Sequence, residues 1–225
     1  MNSTPMTRSN VWTALFIAAG ALAAIKAAIS IFPPLTTAPI ATVLLREATL
    51  ILGSLALGFA ALRWGKVTGA RMGWIAPNWR AVGWGLLCGL AIIAASIAMI
   101  ALMRSLGIVQ NQTVLGEMAQ RPIWVLALIA LTAGISEEIV FRGIVLPQIE
   151  AASGLTWLGA VVSLAAFALM HLSGWGWSQV VFAAVPGAVL TLFFLWKRNL
   201  AVVIIGHFLT DLIGLLAVVA QAQGH

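Results

Sequence analysis

Apolar residues run along this chain in seven long stretches, separated by shorter polar breaks. A helix that crosses a bilayer needs about 20 mostly apolar residues. Stretches of that kind fall at roughly 11–31, 41–62, 81–103, 122–150, 155–172, 177–196 and 200–220. The pattern predicts an all-α polytopic helix bundle of about seven spans. Pro33-Pro34 closes the first span, since proline cannot continue a helix. Gly154, Gly174 and Gly176 mark two further turns. The longest pieces outside the spans are 63–80 and 104–121. The first is basic and Trp-rich and is expected at the membrane interface. Both are read as plain connectors.

Composition agrees with this picture. The 225 residues are 62% hydrophobic and 8% charged, with a mean hydropathy of +1.06. Soluble domains are about 45–50% apolar, so lipid must be part of the solvent. Residues 1–225 are read as one integral membrane domain. The formal net charge of +6 does not point to nucleic acid, because the basic residues lie mostly between apolar runs. The single cysteine, Cys88, excludes a disulfide framework and a Cys-based metal site. Arg8, the apolar run from Val11 and the small residues Ala21 to Ala24 resemble a signal peptide. That run continues to Phe32, long enough to span, so it is read as an uncleaved helix.

Charge sets an expected orientation. With the N-terminus inside, the inner loops carry Arg8, Arg63, Lys66, Arg71, Arg80, Lys197 and Arg198. The outer loops carry Arg104 and Arg121. The positive-inside rule therefore predicts a cytoplasmic N-terminus. Tryptophans near the span ends fit interfacial belts, with Trp12, Trp64, Trp84, Trp157 and Trp196 on the inner side.

The candidate chemistry lies in polar residues that interrupt the spans. Intramembrane ionisable groups are costly and point to function. Glu137 and Glu138 are adjacent within span four, and Arg142 follows four residues after the second. Residues i and i+4 are neighbours on a helix, so Glu138 and Arg142 can neutralise each other. Glu137 points about 100° away and is left as the less compensated carboxylate, suited to act as a general base on water. His171, four residues after Phe167, and His207, four residues before Asp211, complete the set.

Counting depth from the turn near Ser153, at ~1.5 Å per residue, puts Glu137 and His171 at one level. Counted from the turn near Arg198, His207 falls roughly 10 Å short of them. Glu137 and His171 are therefore the more secure pair. Arg46 and Glu47 form another polar dipeptide in span two. Being i,i+1, they are expected to diverge toward partners on other helices, with Glu47 near Arg142 or a histidine. Lys26 is expected to snorkel or to pair with one of these acids.

Three ordered elements stand out: Glu137-Glu138-Ile-Val-Phe-Arg142-Gly143, Phe167-Ala-Leu-Met-His171, and His207-Phe-Leu-Thr-Asp211. Together they resemble the CPBP (CAAX protease and bacteriocin-processing, or Abi) family of intramembrane endopeptidases, relatives of the type II CAAX prenyl proteases. The stretch Arg71-Met-Gly-Trp-Ile-Ala-Pro resembles the usual lead-in, so the family-like core covers about residues 70–215.

The resemblance implies hydrolysis of peptide bonds in membrane-associated or lipidated peptides and proteins. On it, Glu137 with His171 activates water, His207 with Asp211 beside it stabilises the oxyanion, and Arg142 fixes Glu138. It carries Phe167 as structural support. Aspartate at position 211 stands where the eukaryotic prenyl-protein proteases have asparagine. A metal-free mechanism is favoured, since no H-E-x-x-H helix is present. The alternative is one zinc ion on Glu137, His171 and His207. Expected partners are membrane lipids and the peptide substrate, with no nucleic acid, and the expected setting is a bacterial-type inner membrane. Two other readings compete: a non-catalytic binding or immunity protein, and a proton-coupled transporter using the buried acids and histidines as a relay.

Overall fold

A computed structural model of the chain describes residues 8–65 and 67–223. Lys66 and the side chain of Arg8, both counted among the inner charges, lie outside the described part. The described residues are helical, with no strand among them. In order they form α1 (Arg8–Ser30), α2 (Ile40–Trp64), α3 (Trp79–Ser105), α4 (Gln112–Ala119) and α5 (Ile123–Glu138). A π-helical segment, Ile139–Val145, follows α5. Then come α6 (Leu146–Ser153), α7 (Thr156–Met170), α8 (Leu172–Trp175), α9 (Trp177–Lys197) and α10 (Leu200–Gln223). α5, the π segment and α6 run on as one 31-residue helix. Among the described residues seven helices are long and apolar enough to cross a membrane, as the apolar pattern predicts.

Local sequence explains where these helices start and stop. The Asn78 side chain caps α3 by accepting from the Ala81 amide at 3.0 Å. Asn111 caps α4 in the same way, through the Val114 amide at 3.2 Å. Gly154 ends α6 with φ +73°, a left-handed conformation that costs glycine little. Phe16, Leu52 and Leu192 stay exposed on the outer faces of α1, α2 and α9, as side chains facing lipid would.

The centre of the bundle is the π segment. All seven of its residues are buried, packed among α1, α2, α5, α6, α7 and, more lightly, α10. A π turn holds one more residue than an α turn and is frequent at functional sites. Here it closes through the Leu146 amide donating to the Phe141 carbonyl. The Ser163 hydroxyl of α7 donates to the same carbonyl at 2.8 Å. Ser163→Ala is expected to destabilise the bundle by about 1 kcal/mol, the usual net worth of such a bond. Equilibrium unfolding in mixed micelles would measure it, and an unchanged midpoint would mean that Ser163 does not hold this turn.

Neither long connector is a plain one. The first, from residue 67 on, dips into the bundle: Met72 is fully buried, and the Gly73 carbonyl accepts from the Leu200 amide at 2.9 Å. The reason is that Val67 and Met72 are apolar and bury themselves despite the basic flanks. Residues 104–121 contain α4, whose Met118 packs with Leu126 and Val219 under Trp175.

Close helix packing rests on small residues. A Cβ at Gly159 would lie 2.6 Å from the Leu146 carbonyl oxygen and 3.1 Å from the Glu150 nitrogen. Backbone cannot move aside as a side chain tip can. Gly159→Val should therefore push α7 off α6 and cost about 1–3 kcal/mol, seen as a lower thermal midpoint in detergent. A wild-type midpoint would count against this packing.

Candidate active site

The long helix α5–α6 delivers Glu137, Glu138 and Arg142 to the middle of the bundle. Glu138 and Arg142 are both completely buried. Arg142 Nη1 donates to Glu138 Oε1 at 2.8 Å, so the i,i+4 pair read from the sequence forms. The second arm, Nη2, donates to the Gly187 carbonyl of α9 at 2.8 Å, and Thr191 Oγ1 donates to the same carbonyl at 2.8 Å. The guanidinium carbon lies 4.4 Å from the Phe167 ring centre, a cation–π contact. Arg142 thus ties α5, α7 and α9 together.

α10 joins through His207. Its Nδ1 donates to Glu138 Oε1 at 2.8 Å, which fixes the ring. Its Nε2 lies 3.4 Å from Asp211 Oδ2. The Asp211 side chain is 39% exposed, against 8% for His207 and 0% for Glu138, so it marks the open side of the cluster.

His171 ends α7. Its Nδ1 is bonded to the Phe167 carbonyl at 2.9 Å. A carbonyl only accepts, so Nδ1 carries the hydrogen and Nε2 of a neutral ring is left with its lone pair. The Phe167 ring lies between the two histidines, 5.2 Å from His171 and 5.9 Å from His207 by ring centres. Glu137 is partly buried. It stands within electrostatic reach of His171, His207 and Asp211, and its Oε2 has no hydrogen-bond partner in the protein.

All the residues singled out from the sequence motifs therefore converge. The pairing differs from the depth count, because the direct bond runs from Glu138 to His207. The count took the turns at Ser153 and Arg198 as level. Instead Arg198 bonds Glu150, at 2.8 and 3.1 Å, three residues before Ser153. Counted from Glu150, the gap between Glu138 and His207 shrinks to roughly 5 Å, which the two side chains span. Arg46 and Glu47 also differ from expectation. They are ion-paired with each other, since a long arginine bends back along the helix. Glu47 is buried near Glu137 rather than beside Arg142. Lys26 is exposed, and no ion pair to it is seen among the described residues.

Toward the zinc alternative, His171 is held through Nδ1 by a carbonyl and leaves Nε2 open, as histidine ligands often are, whereas both ring nitrogens of His207 face carboxylates. Among the described residues no three of the histidines, cysteines and acids gather as a metal-holding group.

Residues 119–213 match the family model described as type II CAAX prenyl endopeptidase Rce1-like. This segment is similar to the Rce1-like family. The match spans every motif residue from Glu137 to Asp211, and α1 to α3 lie outside it. No curated protein and no solved structure matches the chain. The resemblance drawn from the three motifs holds. Its seven apolar helices make the chain an integral membrane protein, and the match supports, at the level of the family, a likeness to CAAX-protease-like intramembrane endopeptidases.

Within the Rce1-like segment, sequence reasoning missed Glu150. This acid accepts from Thr156 Oγ1 at 2.7 Å as well as from Arg198, and Arg71 Nη2 stands 3.6 Å away. The signal was available: an acid at one turn and arginines at two other turns of the same bundle end. Glu150 locks that end, well away from the cluster around Glu137.

Proposed function

We propose that the chain hydrolyses peptide bonds of membrane-associated or lipidated peptides and proteins, using Glu137 and His171 to activate water. The observation that carries this reading is the contrast between the two adjacent glutamates. Glu138 Oε1 is engaged by both Arg142 and His207, although its Oε2 has no partner, whereas Glu137 has no side-chain bond to either group and its buried, unpartnered Oε2 belongs to a carboxylate beside two histidines. A rigid first pair and a free second carboxylate are what a positioned general base requires.

In this mechanism Glu137 takes a proton from water while His171 Nε2 orients it. The water oxygen attacks the scissile carbonyl carbon. Charge moves to the carbonyl oxygen, where His207 donates from Nε2 and exposed Asp211 turns aside. Collapse breaks the C–N bond, and the proton held by Glu137 passes to the leaving nitrogen. Glu138 sets the His207 ring, and Phe167 spaces the two imidazoles. No metal is used in these steps. The positive-inside bias supports a cytoplasmic N-terminus, and a cell membrane of the bacterial inner type is the setting this reading assigns.

The test is direct. Purified protein in nanodiscs is incubated with a pool of lipidated and membrane-derived peptides, with and without a chelator, and products are read by mass spectrometry. New peptides that persist with the chelator are expected. No products from any lipidated or apolar peptide, together with pH-dependent flux across vesicles, would replace this reading with transport.

A further inference from the structure

We propose that the chain holds an anionic phospholipid in a groove between α2, the loop after it, α5 and α10. The groove measures about 430 Å³ and is lined mainly by apolar groups, among them Leu55, Trp74, Pro77, Ile135, Ile139 and Ile204. An acyl chain suits such a wall. The segments that form the groove also carry its charge. Arg71 precedes Gly73 and Trp74 on the loop, Arg80 follows Pro77, and Arg198 precedes Leu200 and Ala201. The Gly73–Leu200 bond joins two of these segments. Glu150 is the one acid seen against these arginines among the described residues, and it faces two of them. A surplus of positive charge remains, with the Arg71 side chain 46% exposed.

The charge chooses among apolar occupants. An uncharged hydrocarbon chain gains nothing from the arginines and a zwitterionic lipid, whose phosphate is offset by its own cation, gains less than a lipid of net negative charge. The groove also bears on catalysis. Ile135 and Ile139 flank Glu137 and Glu138 on one helix, and Ile204 lies one turn before His207. A bound chain would brace both helices that carry the cluster.

Native mass spectrometry of the full chain tests this without any cleavage assay, so its outcome is independent of the protease reading. The protein is exchanged into mixed nanodiscs of phosphatidylglycerol and phosphatidylcholine, then released. Phosphatidylglycerol is expected to stay bound on the order of tenfold more than phosphatidylcholine at low salt. The preference should vanish in Arg71→Gln/Arg80→Gln. Ala201→Trp, which fills the groove and leaves the charges, should lose both lipids. Equal retention of the two lipids by the wild type would overturn the proposal. So would unchanged phosphatidylglycerol binding in Ala201→Trp, or its displacement by a prenylated peptide that binds equally well to the arginine variant.

Discussion

Glu137→Gln should reduce peptide cleavage by about 10³-fold while leaving the fold intact. General-base groups typically contribute 10²–10⁴-fold. The amide keeps the shape of the carboxylate but cannot take a proton from water. The fold should survive because Glu137 Oε2 bonds no other group of the protein. Glu138→Gln makes the informative contrast. It removes the charge that Arg142 and the His207 ring both face, so its loss of activity should come with a lower melting point. Cleavage rate and thermal midpoint, measured on the same preparations, separate the two. Equal midpoints and equal rates for both variants would remove the division of labour between the glutamates.

Arg142→Met carries the largest expected structural effect, about 3–5 kcal/mol. Breaking a buried ion pair leaves its partner charged without compensation, and that is where the cost lies. Here the partner is Glu138, fully buried. The change also removes the donor to the Gly187 carbonyl and the contact over Phe167. The double variant Glu138→Leu/Arg142→Met should be less damaging than Arg142→Met alone, because apolar replacement removes the orphan charge. Unfolding of both in mixed micelles checks this. A double variant at least as unstable as the single would mean that the cost is lost packing.

Much of this was legible in the sequence, for physical reasons that differ by residue. Runs of about 20 apolar residues admit few solutions in lipid, so all seven spans were readable. The Glu138–Arg142 pair follows from helical spacing alone. The Glu138–His207 bond does not, because it depends on where the α9–α10 turn sits against α6, and the Arg198–Glu150 bond sets that. The π segment leaves no mark in Ile139–Val145 that spacing rules detect. Its stability comes from burial and from Ser163, 22 residues from its Phe141 partner. The Arg46–Glu47 pair was misjudged because the i,i+1 rule describes where side chains start, not how far arginine reaches. The connector 63–80 looked interfacial by charge, yet within it Val67 and Met72 are buried.

The most direct test of the central claim is cleavage in ¹⁸O-labelled water by the wild type and Glu137→Gln, side by side in nanodiscs. Wild type should release a new carboxyl terminus that carries one ¹⁸O atom from water, and the folded Glu137→Gln protein should release almost none. Equal release by both would show that another group activates the water, and the role given to Glu137 would have to be withdrawn.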